Sequence, residues 1–134
     1  MSTVISKILN LKVVAIFLFI FTISAGFIND TVEGIVWDKI EHDFGTVKKG
    51  VVVEAQFTVT NQRKDTLIFE NVVGSCGCLA SEWPHRPLLP GASATIKVKF
   101  DSGKGKSGNH YKTVSVYTSK GAFYLSLKAN VVNE

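Results

Sequence analysis

From residue 51 onward the chain alternates apolar and polar side chains with a period of two. Val51, Val53, Ala55, Phe57 and Val59 interleave with Val52, Glu54, Gln56, Thr58 and Thr60. Ala94, Ile96, Val98 and Phe100 interleave with Thr95, Lys97 and Lys99. Val114 and Val116 follow the same rhythm, as do Phe123, Leu125, Leu127, Ala129 and Val131. A strand points successive side chains to opposite faces, so each run has one face for a core and one for water. Antiparallel sheets with one buried face read this way. A helix needs apolar recurrence every three to four residues, and no such stretch follows residue 30.

Turn chemistry separates the runs. Lys48-Lys49-Gly50, Asn61 to Asp65, Pro90-Gly91, the basic loop Ser102 to Gly108, and Ser119-Lys120-Gly121 all break the alternation. The last of these predicts a tight hairpin. Strands are expected near 35–41, 51–60, 66–73, 79–83, 92–100, 110–118 and 122–132. About seven short strands predict an all-β immunoglobulin-like antiparallel sandwich, with an open barrel as the competing solution. The widely spaced cysteine pair of antibody domains is missing, because the only two cysteines are Cys76 and Cys78.

The N-terminus has a different character. Lys7 and Lys12 precede an uncharged apolar run, Val13 to Ile23, and then the small residues Ser24-Ala25-Gly26. This is the layout of a Sec signal peptide at 1–26, with an uncleaved membrane anchor as the alternative. It leaves a single domain over 27–134 and places it outside the cytoplasm, in the periplasm or associated with the outer membrane. No cysteine stands at the cleavage point, which excludes a lipoprotein. Export favours an oxidising compartment, which bears on the cysteines.

Charge narrows the function classes. The net charge of +4 falls to +2 past residue 26, where thirteen cations face eleven acids. Lys48, Lys49, Arg63, Lys104 and Lys106 read as a solvated loop set rather than the dense, aromatic-interleaved stripe that nucleic acid requires. No serine sits in a nucleophile elbow, no glycine-rich loop opens a helix, and no carboxylate pair is placed for acid–base work. His42, His85 and His110 read as ordinary surface or core residues.

Several motifs then occur in one order: Phe44-Gly45-Thr46-Val47, Thr60-Asn61, Ser75-Cys76-Gly77-Cys78, Pro87-Leu88-Leu89-Pro90-Gly91, and Lys112-Thr113-Val114-Ser115-Val116-Tyr117-Thr118. Over about residues 40–131 this resembles the exported bacterial family called domain of unknown function 1573, common in Bacteroidetes. The family is similar in fold to the immunoglobulin-like modules of Hydin-type and major-sperm-protein-type proteins. The resemblance implies export and a sandwich fold, and it implies no activity. After the cysteines this chain carries Leu79, where relatives often have threonine.

Cys76-Gly77-Cys78 is the one element where chemistry is expected. Three states are open: a disulfide, a soft-metal site for copper or zinc with His85 as third ligand, or packed thiols. A disulfide closing so short a loop contributes only about 1.6 kcal/mol on the chain-entropy model, so it is a poor staple and a candidate redox couple. Downstream, Trp83, His85 and Arg86 within Trp83-Pro84-His85-Arg86-Pro87 form a candidate partner-binding lip. The expectation is a non-catalytic module without a cofactor, which binds a protein partner in a cell-envelope assembly. The partner docks on a sheet edge or on the Cys76–Pro87 loop. The alternative is a thiol redox or soft-metal protein using Cys76 and Cys78. Nucleic acid is not an expected partner, and membrane contact is expected only if the leader stays uncut.

Overall fold

The computed structural model describes residues 33–133, and the predicted leader lies outside them. Eight strands follow in order: β1 (Ile35–Trp37), β2 (Glu41–Lys48), β3 (Val52–Asn61), β4 (Phe69–Gly74), β5 (Leu79–Glu82), β6 (Ser93–Asp101), β7 (Gly108–Thr118) and β8 (Gly121–Val132). They form two four-stranded sheets, β1-β3-β6-β5 and β2-β8-β7-β4. The sandwich expected from the alternation is therefore present, and the barrel is not.

The apolar faces meet as the period-two runs require. Phe57, Val59, Ile96 and Val98 of one sheet face Val114, Val116 and Leu125 of the other, all fully buried. Full burial of side chains of this kind stabilises by about 1.5–3 kcal/mol each, which is what offsets the ordering of the chain. A smaller cluster at one end joins Val47, Cys78, Phe100, Ala129 and Val131.

The N-terminal strand differs from expectation. A single strand at 35–41 is replaced by β1 and β2, which belong to different sheets. Asp38 makes the crossing. Its Oδ1 accepts hydrogen bonds from Lys39 N and Thr58 N, both at 2.8 Å, and Asp38 N donates to Thr58 O at 2.9 Å. Beyond it β2 pairs in parallel with β8, and the register shifts between Asp43 and Thr46. Gly45 sits there at φ +64°. A bulge inserts one residue and reverses the phase, so His42 and Phe44 share a face with Val47 rather than with Thr46. Simple alternation is lost over these residues, and the eighth strand is hidden with it.

The predicted turns hold. Pro90-Gly91 forms a turn closed by Ala92 N donating to Leu89 O at 3.0 Å, with Gly91 at φ +77° as a type II turn requires. Thr118 pairs with Gly121 across a two-residue hairpin loop. The basic loop after β6 is anchored at its start: Ser102 is fully buried, and its Oγ accepts from Val51 N at 2.9 Å.

Candidate functional site

Ser75-Cys76-Gly77-Cys78 is the turn by which the chain leaves β4 in one sheet and enters β5 in the other. Gly74 permits the turn, because a Cβ there would lie 2.7 Å from the Leu79 side chain. Leu79 N donates to Cys76 O at 3.2 Å, Ser75 N to Thr113 O at 2.8 Å, and Asp101 N to Cys78 O at 2.9 Å. Both ends of the turn are thus tied, one to each sheet. The two cysteines are joined as a disulfide, with Cα atoms 5.2 Å apart. Cys78 is buried beside Phe100, while Cys76 is half-buried and Gly77 is exposed. Lys104 Nζ reaches Gly77 O at 3.3 Å.

The third metal ligand expected from sequence does not converge on this pair. His85 lies beyond the far end of β5 and packs on Trp83, ring centroids 5.1 Å apart. Among the described residues, no cluster of three or more metal-ligating side chains forms. The other histidines have packing roles. His42 stands edge-on to Phe44, and burial, followed by the Lys39 charge, holds its pKa below the ordinary value. His110 packs against Phe100, with its Nε2 2.6 Å from Lys106 O.

Trp83 and Arg86 do come together, on the rim of a depression of about 740 Å³. Its floor is Ser93, Ala94 and Thr95 of β6, and its wall is the loop from Pro84 to Leu89. The loop is pinned behind by Leu88, which exchanges backbone hydrogen bonds with Leu67 at 2.7 and 2.9 Å. Asn61 pins it again: its side-chain amide donates to Leu88 O and Asp65 O, both at 2.9 Å, and it is fully buried. In front, Arg86 and Leu89 are exposed, Leu89 at 62%. Trp83 Nε1 is buried without an acceptor. Glu82 pairs with Lys99 at 2.8 Å, which holds its carboxyl below the usual range. Arg86 and Lys97 are left as cations on the rim with no ion pair among the described residues.

The floor of this groove was not singled out from sequence. A signal for it was present in the lengths of the strands. A strand of about five residues cannot cover a neighbour of about nine, so half of the longer one must stay open on that side.

The family described as "Protein of unknown function (DUF1573)" matches residues 35–131. A search of curated proteins finds no match. Among solved structures, a protein of unknown function from Porphyromonas gingivalis W83 is similar with a TM-score of 0.63 at 16% identity. The similarity covers 72% of this chain and 46% of that one. The human CEP192 ASH/PapD-like domain 7 matches with a TM-score of 0.63 at 8% identity, covering 75% of this chain and 87% of that domain. The secreted serine protease VesC of Vibrio cholerae matches with a TM-score of 0.55 at 17% identity, over 73% of this chain and only 23% of the protease. At these identities the likeness concerns the fold.

Proposed function

Since this chain belongs to the DUF1573 family, whose description assigns no activity, we propose from its own geometry that it is an exported, non-catalytic binding module that holds a protein partner in the cell envelope. The observation that carries this reading is the groove beside Trp83 and Arg86. It joins apolar wall residues, the cations Arg86 and Lys97, and open backbone, which is the composition of a protein-recognition surface. Export rests on the leader read at 1–26, and that reading places the partner in the periplasm or at the outer membrane.

Photocrosslinking in living cells tests the proposal. A photoreactive amino acid at Leu89 should trap a discrete adduct, and the same residue at Tyr124, on the outer face of the other sheet, should not. The adduct should fade when Arg86 is also changed to Glu. Equal labelling from both positions, or none from Leu89, would overturn the reading.

The disulfide favours a second reading, thiol–disulfide exchange. A dithiol donor would attack Cys76 Sγ, the half-buried sulfur, and Cys78 would leave as the thiolate. The donor's second thiol would then resolve the mixed disulfide, oxidising the donor and leaving both cysteines reduced. Mass spectrometry after differential alkylation should find a reduced fraction in vivo, and a pair that stays fully oxidised removes this reading. A copper or zinc site has less support, because it needs both thiols reduced and a ligand other than His85.

A further inference from the structure

The open half of β6 has a defined hydrogen-bonding character. Backbone groups along a strand point alternately to its two neighbours. Asp101 N donates to Cys78 O on the β5 side, and Asn61 N, at the end of β3, donates to Ala92 O. Odd-numbered residues of β6 therefore address β5, and even-numbered ones address β3. Strand β5 ends at Glu82, opposite Lys97, while β6 continues back to Ser93. Thr95 and Ser93 thus point their N–H and C=O groups into the groove, and among the described residues no backbone group pairs with them.

We infer that this stretch takes an added strand from the partner, an extended segment in which acidic residues alternate with apolar ones. The inference rests on the binding-module reading and specifies its mode. The backbone of Ser93 and Thr95 supplies the ladder. Leu89, Ala92 and Pro87 offer apolar surface to alternate side chains of the incoming strand. Charge complementarity selects its polar side chains: Arg86 and Lys97 flank the groove, and its only acid, Glu82, is already paired with Lys99. The chain's own N-terminal stretch fits poorly, because its charged residues before Asp30 are the cations Lys7 and Lys12. Trp83 Nε1 gains the acceptor it lacks if the ring turns toward an occupied groove.

An unbiased library of ten-residue displayed peptides, panned on the full chain, tests this. The enriched peptides should be acidic, should alternate apolar and polar positions, and should slow amide exchange at Ser93 and Thr95. Charge reversal by Arg86→Glu with Lys97→Glu should weaken them about tenfold, since each exposed pair contributes little by itself. N-methylation of alternate peptide amides, which leaves the protein untouched, should abolish binding. Enrichment of basic or uncharged peptides would overturn the inference. Protection of Ser93 and Thr95 by a second copy of the chain or by residues 1–30 would do the same. Peptides that perturb Trp83 but leave the Ser93 and Thr95 amides unchanged would sink strand addition and spare the binding-module reading. The absence of any enriched peptide, together with no crosslink from Leu89, would remove both.

Discussion

Asn61 shows how a short motif can be structural. Its side chain, fully buried, satisfies two carbonyls and accepts from Arg63 N at 3.0 Å. Asn61→Ala leaves these groups orphaned, so the mutant should lose about 2–3 kcal/mol in chemical denaturation. Thr60→Ala, one residue earlier and half-buried, should cost under about 1 kcal/mol, because its hydroxyl meets only Ser93 Oγ near the surface. Phe44, Gly45, Val114, Val116 and Gly91 follow the same logic: each motif residue packs in the core or sets a bulge or turn. What no residue type announced was the role proposed for Ser93 and Thr95, because it runs through backbone groups that every residue carries.

Strands announced themselves where alternation was unbroken, as in β3, β6, β7 and β8. They were hidden where a bulge or a crossing broke the phase, as around Asp38 and Gly45. Two links between strands yield predictions. The Cys76–Cys78 disulfide spans the turn from β4 to β5, and replacing both cysteines by serine should cost about 1.6 kcal/mol on the chain-entropy model. For a domain near 100 residues that lowers Tm by roughly 6–12 °C. A much larger loss would mean that the turn itself, and not the covalent link, had failed. The second link is Asp65 in the loop from β3 to β4. Hydrogen bonds from Lys120 and Arg63 hold its carboxyl down at about 2, against an ordinary value of 3.8. The ion pair with Lys120 ties this loop to the β7–β8 hairpin. A depressed carboxyl stabilises the fold fully above its unfolded value, and the contribution is lost as pH falls through the folded one. Asp65→Asn should therefore lower Tm at neutral pH and flatten the fall in Tm between pH 3.8 and about 2. An unchanged acid profile would show that the pairs do not persist in solution.

The two sheets together explain why the proposed binding surface sits where it does. Closing the sandwich uses the inner faces and leaves four edges. β5 covers only one end of β6, since the chain must turn away at Pro84 to reach Leu88 and bridge to Leu67. The loop that results walls the uncovered end instead of filling it. Lys97 and the flanking prolines discourage indiscriminate strand pairing there. The same features suit the proposed partner of matching charge.

Amide hydrogen exchange of the free protein, resolved by residue along β6, tests this arrangement most directly. Ala94 and Ile96, which pair with β3, should be strongly protected, while the alternate residues Ser93 and Thr95 should exchange orders of magnitude faster. Uniform protection across the four amides would mean that the edge is already covered, and it would contradict the account.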